Sequence, residues 1–135
     1  MLWQLPSNLH MDPVRLDDFL EGLPHEYRHA VEFRHKSWLN AEIFKIMRKH
    51  NTAQVWISSK QMPVDVTDTA DFVYARFHGL KGGYRYDYSR EELEPWADVI
   101  RKMRELGKDV FVYFNNDVDC HAPKNAKLLR DILSE

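Results

Sequence analysis

Three short stretches of this chain set charged and amide side chains into runs that otherwise read as β-strand. AVEFRHKSW carries Glu32 and Arg34, FVYARFHG carries Arg76 and His78, and VFVYFNND ends on Asn115 and Asn116. A spacing of two puts Glu32 with Arg34, and Arg76 with His78, on one face of each strand, while Val31, Phe33, Ala75 and Phe77 take the other. A carboxylate and an imidazole can carry general acid–base chemistry. Guanidinium groups bind phosphate or carboxylate, and can hold a neighbouring carboxylate ionised, as Arg34 could hold Glu32. Amides at a strand end can reach hydroxyl or carbonyl groups. Glu32 and His78 are therefore the candidate catalytic pair, and Arg34, Arg76, Asn115 and Asn116 the candidate substrate-binding residues.

Each has a plainer reading. Glu32 with Arg34 fits a structural ion pair, although a buried pair adds little stability unless well satisfied. A single histidine is more often a satisfied core residue than a catalyst, and two asparagines fit a turn. Their common position at strand ends favours a site. The segment from Gly82 to Tyr88 reads as a lid over that site or as an ordinary surface loop. Ser37 lacks the glycine elbow of a serine nucleophile, and no HxH, HExxH or cysteine pair marks a metal centre. His10, His25, His29, His35, His50 and His121 are scattered and read as surface residues, Cys120 reads as an incidental thiol, and no residue names a cofactor.

The elements that must position these side chains alternate. Residues 1–5 read as a strand stopped by Pro6. Asp12 before Pro13 gives a helix cap and first turn, followed by an apolar stripe to Leu23. Residues 30–34, 53–57, 72–78 and 109–114 read as strands. Residues 39–50 and 122–133 read as helices, residues 58–70 as a polar connection, and Ser89 with Glu92 as a capping box that opens a helix ending at Gly107. Helical segments between strands indicate parallel βα units and a sheet buried on both faces. No glycine-rich phosphate loop follows the first strand, and polar residues close several strands at once, which favours a barrel over a dinucleotide-binding sheet. The expected fold class is α/β, a partial TIM-type (β/α) barrel of about five parallel strands with intervening helices.

The chain has 135 residues, with 19 Lys and Arg against 21 Asp and Glu and a net charge of −2. That length is one domain, residues 1–135, and that charge lacks the broad basic footprint of a nucleic-acid binder. A small polar or anionic molecule remains as the partner. No apolar run is long enough to span a membrane and no signal peptide is evident, so a cytoplasmic protein is expected.

A whole (β/α)8 barrel takes about 250 residues. Five strands, with the first beginning at Met1, lead to the expectation that an N-terminal portion is missing. LWQLPSNL, AVEFRHKSWL, FVYARFHG, a Tyr-rich loop ending YS-x-x-EL, VFVYFNND and APKNAKLL, in this order, resemble the C-terminal half of the YecE-like family, known as domain of unknown function 72. The resemblance covers essentially the whole chain and implies a TIM-type barrel whose fourth to eighth strands are these five. It maps site positions onto Gln4 and Pro6, Glu32, Arg34, Ser37 and Trp38, Arg76, His78 and Gly79, and Phe114, Asn115 and Asn116, with Asn125 in the helix that follows. Of these, Gln4 and Trp38 join the substrate-binding candidates. Where such proteins often carry an acidic residue after the sixth strand, this chain reads Ile57, Ser58, Ser59, which removes any role resting on that acid.

Two functions follow as expectations. One is an enzyme acting on a small anionic substrate by acid–base chemistry at the C-terminal mouth of the barrel. The other is a non-catalytic binding module, or an inactive half-barrel, covered by a homo-oligomer partner or by a separately encoded N-terminal half.

Overall fold

Helix boundaries follow local chemistry. Asp12 caps α1 (Pro13–Glu21) by accepting from Arg15 N, and Pro13 takes the first turn, where a missing N–H costs nothing. Asn40 caps α2 (Ala41–Lys49), so this helix starts two residues later than the apolar spacing suggests, and a 3₁₀ turn (Lys36–Trp38) precedes it. Ser89 and Glu92 form the expected reciprocal capping box on α3 (Arg90–Glu105). Gly107, at φ +80°, closes α3, with Lys108 N donating to Met103 O and Gly107 N to Arg104 O. The last helix is α4 (His121–Leu133).

The computed structural model describes residues 1–135. Its five strands, β1 (Leu2–Gln4), β2 (Ala30–Glu32), β3 (Ala53–Ser59), β4 (Phe72–Gly79) and β5 (Asp109–Phe114), form one all-parallel sheet in the order β1-β2-β3-β4-β5. Neighbours in sequence are neighbours in the sheet. The connection from β3 to β4 holds no helix. It is tied down by polar bonds instead: Gln54 Nε2 donates to Asp65 Oδ1, the Trp56 indole to Thr67 O, and Thr69 Oγ1 both accepts from Gln54 N and donates to Thr52 O.

All four helices lie on one face of the sheet. There α1 and α2 pack Leu16, Leu20, Ile43 and Met47 on Val31 and Phe33, while α3 and α4 pack Leu93, Trp96, Ile100, Leu129 and Ile132 on Trp56, Val73, Ala75 and Phe77. The other face carries Ala30, Ala53, Val55, Ile57 and Phe72, covered in part by Met62 and Ala70 of the β3–β4 connection. A sheet buried on both faces is therefore realised only in part: Phe111 and Tyr113 of β5 keep 38% and 47% of their surface exposed. No helix is long and apolar enough to cross a membrane.

Candidate active site

Register brings the charged strand ends together. Gln4 pairs with Glu32 across β1 and β2, and Ile57 with Arg76 across β3 and β4. Glu32 is 2% exposed. An isolated carboxylate there would be costly to ionise. Its Oε2 accepts from Arg76 Nη1 at 2.7 Å and lies 3.4 Å from His78 Nε2, and its Oε1 accepts from Gln4 Nε2 at 3.3 Å. Burial pushes the carboxyl up, but the His78 hydrogen bond and the Arg76 charge outweigh it and hold Glu32 below its ordinary 4.5. Glu32 is thus a fixed anion in this site.

The partner of Glu32 differs from the one its sequence neighbourhood suggests. Arg34, two residues on, makes no ion pair, and its side chain is exposed. Arg76 takes its place from β4, two strands away. Two strand spacings amount to about 9.5 Å, so the Glu32 and Arg76 side chains reach toward each other over β3.

Gln4, Glu32, Arg34, Arg76, His78 and Asn115 all line one cleft of about 570 Å³ at the C-terminal ends of the strands. Ser7, Ser59, Gln61, Met62 and Tyr84 complete its walls. Two guanidinium groups face one carboxylate, so the lining holds one excess positive charge with the imidazole left out of the count. The chain as a whole is at −2. Ser59, at the strand end where the family resemblance implies an acid, and Gln61 add neutral hydrogen-bonding groups that the strand spacing does not mark.

Trp38 and Asn116 lie elsewhere. Trp38 stacks on Phe33 with ring centroids 5.1 Å apart, and its indole N–H donates to Leu9 O at 2.8 Å. It belongs to the core beneath α1 and α2. Asn116 is 0% exposed, and its Nδ2 donates to Tyr86 O and Asn125 Oδ1, both at 2.7 Å. Strand alternation divides the two asparagines: Asn115 shares the helix-free face with Tyr113 and lines the cleft, and Asn116 points with Phe114 toward the helices.

Asn116 is part of a buried polar knot that holds the cleft's rim. Asn125 of α4 accepts from Tyr88 N at 3.1 Å and donates to Asp87 Oδ1 at 2.8 Å and Tyr88 O at 3.2 Å. The Tyr88 hydroxyl accepts from Gly79 N and meets Ser58 Oγ, both at 2.9 Å. Gly79 follows His78 directly and has φ +90°, and a Cβ there would lie 1.9 Å from Gly83 O. The loop thus folds back onto the strand end, with only its tip, Gly82 to Tyr84, over the cleft. Ser58 and Tyr88 were missed as supports; a serine amid the apolar run of β3 was the available signal.

A second cleft, of about 530 Å³, opens at the N-terminal ends of the strands beside His29, His50 and Asn51. In its lining Lys49 pairs with Asp17 at 3.0 Å, and His50 Nε2 lies 2.6 Å from the same carboxylate. His29 and His50 are buried rather than on the surface: His29 Nδ1 accepts from the Trp3 indole at 3.1 Å, and its Nε2 meets Pro24 O at 2.8 Å. No three His, Cys, Asp or Glu side chains converge to hold a metal ion, and Cys120 is exposed.

The family model described as "Protein of unknown function DUF72" matches residues 1–135. The UPF0759 protein YunF of Bacillus subtilis is 29% identical, with 77% of this chain and 46% of that protein aligned. A DUF72 family protein of Thermotoga maritima, solved by crystallography, is 30% identical and superposes with a TM-score of 0.89 over 99% of this chain and 57% of its own. One from Enterococcus faecalis shares the fold at 19% identity and a TM-score of 0.87, over 58% of its length. The chain spans about half the length of these relatives.

Proposed function

This chain belongs to the DUF72 family of proteins of unknown function, and on that footing we propose that its C-terminal cleft is the active site of an enzyme acting on a small, polar, anionic substrate. His78 is the acid–base group. Glu32 does not take the proton, because the His78 hydrogen bond and the Arg76 charge keep its carboxyl below 4.5. It fixes the imidazole instead, turning Nε2 inward and leaving Nδ1 for the substrate, and it stabilises the imidazolium when His78 gains a proton. Glu32 is therefore a positioning residue and His78 the catalytic one. Arg76 neutralises Glu32, which leaves Arg34 as the cation for the substrate. The observation that carries this reading is the Arg76–Glu32–His78 cluster, buried at the base of a cleft with a positive excess.

The same reading places the five strands as the fourth to eighth of a TIM-type barrel. Sequential parallel order, helices on a single face and polar residues gathered at the C-terminal strand ends support it. So does alignment to 57% of the Thermotoga protein.

The test is turnover of a panel of phosphorylated and carboxylated metabolites by the purified protein, followed by mass spectrometry. His78→Gln is expected to lower turnover at least about a hundredfold with the fold intact. Turnover of no member of the panel, or unchanged turnover by His78→Gln, overturns the assignment. A binding-module reading draws on the exposed Phe111 and Tyr113. It predicts self-association in sedimentation equilibrium that Tyr113→Ser abolishes.

A further inference from the structure

One amide in the cleft has a buried oxygen with nothing to bind. Asn115 Oδ1 is sealed from solvent and has no hydrogen-bond donor, although its backbone N–H is used, donating to Phe77 O at 2.8 Å. Its Nδ2 makes no hydrogen bond within the protein either. Next door, Asn116 Oδ1 also lacks a donor, but its Nδ2 is held twice and it lies outside the cleft, so Asn115 is the one whose two ends are both free beside a cavity. A buried acceptor without a donor loses its bond to water and gains none in return, so native proteins leave few of them unexplained. In this case the unmatched group lines the same cavity as Arg34, the guanidinium without a carboxylate.

We propose that the cleft takes a hydroxylated anion: a phosphate or carboxylate held by Arg34, with a neighbouring hydroxyl held by the Asn115 amide. This rests on the reading of the cleft as a substrate site and narrows its chemistry. A hydroxyl both donates and accepts, so a single ligand hydroxyl accepts from Nδ2 and, once the half-buried Asn115 side chain turns its sealed oxygen toward the cleft, donates to Oδ1. A carbonyl would leave Oδ1 unmatched, and an ammonium would leave Nδ2 unmatched and face two guanidinium groups. Ile57, Met62 and Tyr84 are interrupted by the Gln4, Ser7, Ser59 and Gln61 side chains, which suits a short polyol, whose carbons and hydroxyls both find partners, rather than a lipid.

Two matched pairs of probes test this by calorimetry on the purified protein: glycerol 3-phosphate against propyl phosphate, and glycerate against propionate. Each pair differs only in hydroxyl groups, and the pair that binds more tightly identifies the anion. The hydroxylated member is expected to bind about tenfold tighter. Asn115→Ala should erase that preference while leaving the hydroxyl-free probe unchanged. Arg34→Gln should weaken both members of the pair to a similar degree. Asn115→Asp, which keeps the shape, should also lose the hydroxylated probe, because it sets a second negative charge beside the anion. Equal affinity within both pairs, a preference that survives Asn115→Ala, or no binding by any probe overturns the proposal. Binding and turnover fail separately. The expected probe pattern without His78-dependent turnover overturns the enzyme reading alone, and His78-dependent turnover of a substrate without a hydroxyl overturns the ligand class alone.

Discussion

The two faces of the sheet use the same strands for opposite ends. On the helix-covered face, Val31, Phe33, Trp56, Val73, Ala75 and Phe77 interlock with four helices, and the few polar groups are bonded apart from Asn116 Oδ1. On the other face the composition changes along each strand. Ala30, Val55, Phe72 and Tyr74 occupy the N-terminal part, and Glu32, Ser59, Arg76, His78 and Asn115 the C-terminal part. The covered face is uniform because any polar group there would meet only apolar side chains. The graded face tolerates charge because its C-terminal edge meets solvent in the cleft while Glu32 is sealed against its partners. Apolar packing is concentrated on one side and the charged cleft lies on the other, so a substitution should reveal which side it struck.

The sharpest contrast is in truncation. Phe77→Ala, which empties a site among Tyr88, Trp96 and Phe114, is expected to cost about 3–5 kcal/mol in urea unfolding. Tyr113→Ser on the graded face should cost less than about 1 kcal/mol. Comparable losses would mean that β5 is covered in solution and that the two faces are not so different.

Glu32→Ala tests whether the graded face stores stability in its charges. Leaving Arg76 without its carboxylate should cost about 3 kcal/mol or more, whereas joint replacement of Glu32 and Arg76 by leucine should cost less than Glu32→Ala alone. A double variant worse than the single one would show the pair to be net stabilising.

Asn125→Ala breaks the polar knot on the helix side and should cost about 2 kcal/mol. It should also raise the flexibility of residues 79–88 in hydrogen exchange. Loss of stability with unchanged exchange there would separate the knot from the cleft's rim.

The smallest effect is pH dependence. Because Glu32's folded value lies below 4.5, the native state binds fewer protons than the unfolded one in that range. Its contribution is complete above about 4.5 and is lost as pH falls through the lower folded value. The unfolding midpoint of Glu32→Gln should therefore fall less steeply between about pH 5 and pH 3 than that of the parent protein. Parallel curves would remove Glu32 from the list of groups that shape acid stability.

Much of the fold was legible because its signals are local. Asp12-Pro13, Ser89 with Glu92, and the limits of β5 all depend on residues within a few positions, and the structure places them where the spacing does. Alternation also carried Glu32, Arg34, Arg76 and His78 to one face. Pairing was not legible. Arg34 is two residues from Glu32, yet Arg76, 44 residues away, holds it; sheet order, not sequence proximity, decides which side chains meet. Asn115 and Asn116 were separable in principle, since the period of two that placed Glu32 also sends adjacent residues to opposite faces. Position at a strand end alone groups Asn116 with Asn115, and alternation separates them. The burial of His29 and His50 depends on Trp3, Pro24 and Asp17, partners that no short window contains.

The Glu32–Arg76 contact skips a strand. A bond between adjacent strands is indifferent to how far the sheet bends, because their spacing is set by the backbone ladder. A bond from β2 to β4 is a chord across an arc: flattening the sheet lengthens it, and tighter bending shortens it. Whatever comes to lie against β1 and β5 and sets the radius of that arc would thereby pull or slacken the grip on Glu32, and with it the pose of His78. In this fold the curvature of the scaffold and the alignment of the imidazole are mechanically one quantity.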